Sequence, residues 1–181
     1  NDVRAIANSL IFEVHDAILY LPGATDARAL LTKKAVAFLD KLAADPSRDA
    51  ALTRELAAGY QKIAEAKNYT LAANLGDAAG ANQNHEQALA LMAPLARRAD
   101  AASEDMATLA NVLLSYSVSL LEQGKVTRAA ELNSEGTALR RRLAEMAPAD
   151  ADRRRDLLAA ENYLANVRHE LDDLSGAQAA N

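Results

Sequence analysis

A recurring interval of 48 residues constrains the fold of this chain more than any other feature. Gly80-Ala81, Arg128-Ala129 and Gly176-Ala177 each lie 48 positions from the next pair. Four further positions keep the same interval: Leu91 with Leu139, Leu95 with Leu143, Ala99 with Ala147, and Leu109 with Leu157. Self-similarity at a fixed period of tens of residues is typical of repeat arrays, in which each unit buries its apolar face against its neighbour. The interval therefore predicts repeated helix pairs that display binding surfaces.

Composition favours an all-α fold. Half of the 181 residues are hydrophobic, yet aromatic residues make up only 4% and tryptophan is absent. Alanine and leucine must therefore supply the core, which suits closely packed helices better than a sheet. The formal net charge of −5 gives no electrostatic footprint for nucleic acid. Without cysteine, the chain can form neither a disulfide nor a thiolate metal site.

Apolar periodicity and helix-breaking residues predict seven helices. Their approximate bounds are 3–19, 25–44, 49–66, 77–99, 103–123, 126–146 and 150–173. Gly124 is expected at the C′ position of the fifth helix, and residues 67–76 form an irregular insert. Tyr69 of the insert either takes part in recognition or covers the end of the groove. The most apolar window, 109–121, is shorter than the ~20 residues of a membrane span, so the chain itself is expected to be soluble.

The same pattern divides the chain into an N-terminal helical hairpin and a series of repeats within one continuous domain. The hairpin covers 1–48, and the repeats cover 49–100, 101–148 and a truncated 149–181. Residues 175–181 are expected to open an eighth helix whose remainder is absent. Either the chain is an excised fragment, which we favour, or the exposed apolar face binds a partner.

Small residues at fixed spacing resemble the contact positions of tetratricopeptide repeats. In that family, a small residue in the first helix faces another twelve positions on, with a third seven later. Ser117, Ala129 and Gly136 fit this pattern, and Ala165 with Ala177 repeats its first interval. Four earlier residues fit once five extra turn residues are allowed: Ala64, Ala81, His85 and Ala88. The resemblance implies a right-handed superhelix of helix-turn-helix units.

The first half carries a second resemblance. The segments that carry it include Val3-Arg4, Phe12-Glu13, His15-Asp16-Ala17-Ile18, Leu21-Pro22-Gly23-Ala24-Thr25, Phe38-Leu39-Asp40 and Ala73-Asn74-Leu75-Gly76-Asp77. Together they resemble the repeat-bearing C-terminal regions of bacterial eukaryotic-like serine/threonine protein kinases. This implies a single-pass inner-membrane parent protein with the present region outside the cytoplasm, a cytoplasmic location being the alternative. The chain lacks the glycine-rich, His-Arg-Asp and Asp-Phe-Gly motifs of the kinase domain, so no catalysis is expected.

The repeat pattern nominates residues for a concave peptide-binding groove. In such arrays the first helix of each unit lines the groove, and asparagine amides suit an extended backbone because they both donate and accept. The expected groove residues are Gln61, Glu65, Asn111, Leu114, Val118, Glu122, Asn162, Asn166 and His169. Leu114 stands where the family's carboxylate clamp has lysine, which argues against capture of a C-terminal carboxylate. Leu114, Val118 and Leu121 either make the groove partly apolar or are covered by neighbouring helices.

Two arginine triplets, 140–142 and 153–155, flank one inter-helix turn and form the strongest charged feature. Arg141, Arg142, Arg154 and Arg155 are candidates for a rim that holds phosphate or carboxylate. The alternative is pairing within the chain with Glu145, Asp150, Asp152 or Asp156, because successive helical residues point about 100° apart.

No residue cluster suggests an enzyme, a metal or a cofactor. The three histidines, His15, His85 and His169, have no second histidine or cysteine at ligand spacing, and His85 is expected to pack in the core. The sequence thus predicts a non-catalytic module that binds a peptide or protein segment in its groove. The alternative is a structural spacer or a self-association module that forms homodimers through its C-terminal end.

Overall fold

A computed structural model describes residues 25–68 and 75–179, and the regular secondary structure there is helical, with no strand among these residues. The six helices are α1 (Thr25–Ala43), α2 (Ala50–Lys67), α3 (Ala78–Ala96), α4 (Ser103–Glu122), α5 (Val126–Met146) and α6 (Ala151–Ala179). The all-α prediction is confirmed. The helix predicted at 3–19 and Tyr69 in the insert lie outside the described residues.

Most helix ends lie where the sequence places them. Asp49 caps α2, with its carboxylate accepting from the Leu52 amide at 2.7 Å. At the C-terminal end of α4, Gly124 has φ 71°, and the Lys125 amide donates to the Leu120 carbonyl at 2.9 Å. This is the Schellman geometry, which needs a left-handed residue at C′, so the predicted role of Gly124 is confirmed. By contrast, α3 ends at Ala96 rather than at residue 99, two residues after Pro94.

The 48-residue interval has a backbone basis. Gly76, which precedes α3, has φ 68°, and Gly124, which precedes α5, stands 48 positions later with φ 71°. Glycine adopts this conformation without the penalty that a Cβ brings. Gly80-Ala81 and Arg128-Ala129 then fall in the first turn of the helix that follows each glycine.

The third copy of the interval does not form a helix pair. Asp172 stands 48 positions after Gly124, and α6 continues through it to Ala179. The prediction of a break near residue 174 and of an eighth helix is therefore wrong. An aspartate enters the left-handed conformation less readily than glycine, and Gly176 inside a helix costs only about 1 kcal/mol, too little to end it. Ala165 and Ala177 consequently lie on one helix and cannot face each other, and Ala165 is exposed.

The chain divides into two compact units, Asn1–Met92 and Ala93–Asn181. In the first, α1 and α2 pack closely. A Cβ on Gly59 would lie 3.2 Å from both Leu39 methyl carbons, and the buried Tyr60 hydroxyl donates to the Asp40 carboxylate at 2.6 Å. Ala64 of α2 is buried, as are Ala81, His85 and Ala88 of α3.

In the second unit, α5 packs against both α4 and α6. Small residues let α4 and α5 approach, because Ser117 and Ala129 are fully buried. A Cβ on Gly136 would lie 2.9 Å from Leu114 Cγ and 3.3 Å from Leu113 Cβ. The three residues expected at contact positions therefore lie at a tight helix crossing, where a larger side chain would force the helices apart.

Candidate binding surface on the second unit

A buried polar chain joins the three helices of the second unit. Asn133 of α5 is fully buried, and its amide donates to the Ser117 hydroxyl of α4 at 3.2 Å. On the other side, the Thr137 hydroxyl lies 3.3 Å from Asn133 Oδ1 and 3.5 Å from the Ala160 carbonyl of α6. Buried polar groups without hydrogen-bond partners are costly. These hydrogen bonds therefore favour one register of the three helices over others.

Arg140 of α5 extends that buried stripe toward solvent and contacts both neighbouring helices. Its guanidinium forms an ion pair with Asp156 of α6 at 2.9 Å and donates to the side-chain oxygen of Asn111 on α4. The Arg140 side chain is only 13% exposed. We call Asn111, Arg140 and Asp156 the arginine node, and it holds the edges of α4 and α6 to α5.

The node was missed by sequence reasoning, which placed Arg141 and Arg142 on an anion rim but not Arg140. A signal was present. Asn133, Thr137, Arg140 and Ala144 follow the spacing of one helix face, so Arg140 continues the buried stripe of α5. An arginine on such a face lies close to the neighbouring helices. Arg141 and Arg142 project in other directions, because successive helical residues lie about 100° apart around the axis.

The candidates on α4 lie together on its solvent side. Asn111 and Glu122 are exposed, while Leu114, Val118 and Leu121 are partly buried. Leu114 is also in contact with the Gly136 position, so it serves the helix crossing as well as the surface. We call these five residues the α4 surface. Its apolar centre and amide or carboxylate ends can hold an extended segment by side-chain burial and backbone hydrogen bonds.

The candidates on α6 lie on the side of that helix that faces away from α5. Ala160, Leu164 and Val167 are buried, whereas Asn162, Asn166 and His169 are exposed on the opposite side. Leu158 lies on the same outward side and is 61% exposed. The structure therefore brings the α6 candidates together with one another, on a face separate from the α5 contact.

Gln61 and Glu65 lie in the first unit, on α2. Both are partly buried, and the Gln61 amide donates to the Glu65 carboxylate at 2.9 Å. They form a local pair one helical turn apart.

All four arginines of the expected anion rim have partners within the chain. Arg141 pairs with Glu161 at 2.7 Å and Arg155 with Asp152 at 2.8 Å. Arg142 donates to the Ala99 carbonyl at 3.1 Å and Arg154 to the Pro148 carbonyl at 2.6 Å. These contacts match the intrachain alternative, which named Asp152 among the expected partners. Asp156, another of the named partners, pairs with Arg140 instead. An external anion would have to compete with them.

The first unit has a polar cluster where α2 meets α3. Asp77 caps α3 by accepting from the Gly80 amide at 2.9 Å, and Lys67 approaches the same carboxylate at 3.3 Å. The Gly80 hydrogen bond, together with Lys67, holds the pKa of Asp77 below its usual range. A Cβ on Gly80 would overlap the Asp77 carboxylate and the Lys67 ammonium, so both of these flexible side chains would have to move if the glycine were replaced. An adjoining cavity of about 480 Å³ is lined by α1 together with Lys67, Leu75 and Asp77.

Two buried titratable groups of the first unit have perturbed pKa values. Burial lowers the pKa of His85, which is 1% exposed, to about 4. Burial, followed by the hydrogen bond to Asp40, raises the pKa of Tyr60 above its usual value. Both effects favour the neutral side chain and follow from core packing. The expected core position of His85 is confirmed.

Within residues 25–68 and 75–179, no three histidine, cysteine, aspartate or glutamate side chains converge as a metal site would require. In the same part of the chain, no helix combines the length and apolar character needed to cross a bilayer.

No protein-family model, curated protein or solved structure matches this chain significantly.

Proposed function

We propose that this chain is a non-catalytic interaction module that binds an extended peptide or protein segment along the α4 surface. The observation that carries the proposal is the partly buried apolar row of Leu114, Val118 and Leu121, bordered by exposed Asn111 and Glu122. Such a mixture gives a bound segment both apolar contact and hydrogen bonds. Leu114 of this row packs against α5 at the tight crossing of Gly136. The row is therefore held in place before a ligand binds.

The arginine node supports the same proposal. It fixes one end of the α4 surface, because Arg140 ties Asn111 to α5 and α6. The Asn111 amide nitrogen can still donate to a bound backbone carbonyl while its oxygen accepts from Arg140. The tetratricopeptide-like superhelix, with a concave groove that also includes Asn162, Asn166 and His169, is part of this proposal.

The resemblance to bacterial serine/threonine kinases suggests where such a module acts. On that basis we place it as the sensing or docking region of a membrane-tethered kinase, with the catalytic domain elsewhere in the parent protein. The motifs of kinase chemistry are missing from this chain, which supports a recognition role for it.

A selection of random phage-displayed peptides on the wild-type chain tests the proposal. Enriched peptides should bind Val118→Arg at least tenfold more weakly, because a charged side chain then replaces the apolar centre of the α4 surface. Ala138→Arg is the matched control, since Ala138 is an exposed residue on α5. Circular dichroism checks that each variant is folded. Glu122→Lys repeats the test at an exposed position of the α4 surface. Failure to enrich any peptide, or equal binding to Val118→Arg and Ala138→Arg, would contradict the proposal.

Self-association is the second candidate function. It is favoured by the outward face of α6, where Leu158 is 61% exposed beside Asn162 and Ala165.

A further inference from the structure

The outward face of α6 has the spacing of a coiled-coil seam. Exposed residues follow one another at alternating intervals of three and four. They are Arg155, Leu158, Asn162, Ala165, His169 and Asp172, which we call the α6 seam. Alternation of three and four residues keeps side chains on one line along a helix and allows them to meet a second helix. The seam lies opposite the face that carries Ala160, Leu164 and Val167, which packs within the unit.

The charges of the seam are arranged so that the helix is complementary to itself in one direction only. Arg155 is at its N-terminal end and Asp172 at its C-terminal end. In a parallel pair, each end would meet a like charge of the second copy. In an antiparallel pair, each arginine would meet an aspartate, and like charges are kept apart.

We propose that a second copy of this chain docks on the α6 seam with its own α6 antiparallel. The two-fold axis of this dimer passes midway between Asn162 and Ala165. That midpoint is equally far from Arg155 and from Asp172 along the helix. In this register Arg155 faces Asp172 of the second copy, and Leu158 faces His169. Asn162 and Ala165 form the central layer. A contact of this kind pairs the a position of one helix with the d position of the other, and the observed spacing supplies that match at every layer.

The composition of the seam makes this a weak, reversible contact. Its one large aliphatic residue is Leu158, and Asn162 stands at an a-type position, where asparagine selects a register at the expense of stability. Arg155 already pairs with Asp152, but both side chains are about three-quarters exposed, so this pair is easily exchanged for a new one. The inference makes the self-association candidate specific and does not require peptide binding by the α4 surface. In the dimer, Asn162 and His169 face the second copy and do not line a peptide groove.

Disulfide trapping tests the register, because the chain has no native cysteine. Leu158→Cys, carrying a size tag, is mixed with untagged His169→Cys and oxidised mildly. The mixture should give a mixed dimer on non-reducing gels, while Leu158→Cys alone should give little. In the proposed dimer the two copies of position 158 are offset by about 16 Å along the helix, beyond the ~7 Å Cα separation that a disulfide allows. Mixing Leu158→Cys with Ala138→Cys sets the background from random collisions.

Three outcomes would overturn the inference. The first is efficient self-linking of Leu158→Cys, which would indicate parallel pairing. The second is a yield of mixed dimer no higher than the Ala138→Cys background. The third is a yield of linked dimer that does not increase with protein concentration. Asn162→Cys mixed with Ala165→Cys repeats the test with Leu158 intact.

Charge reversal supplies an independent measurement. In sedimentation equilibrium, Arg155→Glu should weaken dimerisation roughly three- to tenfold, because it replaces two exposed attractive pairs by repulsive ones. Adding Asp172→Arg to the same chain should restore the wild-type constant. If the double variant dimerises as weakly as Arg155→Glu, the proposed register is wrong.

Discussion

Acidification below neutrality should destabilise the first unit through His85. The imidazole is 1% exposed on α3, and burial lowers its pKa to about 4 from the ordinary value of 6.5. The unfolded chain therefore binds a proton near pH 6.5, whereas the folded chain resists protonation until about pH 4. Stability is complete above about pH 6.5 and falls as the pH drops through this window. Below about pH 4 both states carry the proton, and His85 causes no further loss.

The size of the effect follows from the two pKa values. Their difference corresponds to about 3 kcal/mol of unfolding free energy, as an upper figure for the loss between pH 6.5 and pH 4. The Gly80 hydrogen bond holds the pKa of Asp77 below its ordinary value of 3.8, so the stabilisation from this carboxylate is lost only at a pH below this window.

Urea unfolding followed by circular dichroism at several pH values between about 7 and 4.5 measures this loss. The wild-type midpoint should move steadily to lower urea as the pH falls, while His85→Leu should show a much flatter dependence. Gln87→Leu is the control, because Gln87 is an exposed residue without a titratable group on the same helix and its replacement should leave the slope unchanged. Equal pH dependence of the wild type and His85→Leu would refute the reasoning.

Three further predictions concern the second unit and its helix ends, each measured as an unfolding free energy in urea. Gly124→Ala should destabilise by about 1 kcal/mol, because alanine must then adopt φ near 71°, and no change would mean that the turn rearranges. Asn133→Ala should cost about 1–3 kcal/mol by leaving the buried Ser117 hydroxyl without its donor, whereas a loss below about 0.5 kcal/mol would show that the polar chain is not important. A double-mutant cycle of Arg140→Met with Asp156→Leu should give a coupling above the ~0.5 kcal/mol typical of exposed pairs, and zero coupling would show that the arginine node does not hold α6 to α5.

The sequence predicted local structure well because local signals dominate helix ends. Gly124 and Asp49 mark ends at their expected places, whereas α3 ends three residues before the expected residue 99. The error at the C-terminus has the same origin. The repeat was read from Gly176-Ala177, but the break depends on a glycine 48 positions after Gly124, where the chain has Asp172. The third unit thus has the recurring pair Gly176-Ala177 but has aspartate, not glycine, at the position that makes the turn.

The surface was harder to predict because it depends on which neighbour each side chain meets. Ser117, Ala129 and Gly136 could be assigned from spacing alone, since a close helix crossing excludes large residues. Spacing puts Arg140, rather than Arg141, on the buried stripe of α5, but it does not distinguish contact with Asn111 and Asp156 from contact with other neighbours. That distinction needs the rotation of α5 relative to both neighbouring helices, which only the packed unit provides.

The central claim is that α4 captures an extended segment. Backbone amide NMR of the labelled chain, titrated with a peptide selected on the wild type, tests it most directly. Binding along the α4 surface should give progressive shifts concentrated between residues 111 and 122, with the exposed face of α5 around Ala138 unchanged. Shifts confined to α6, or to the α1 residues that line the cavity of the first unit, would contradict it.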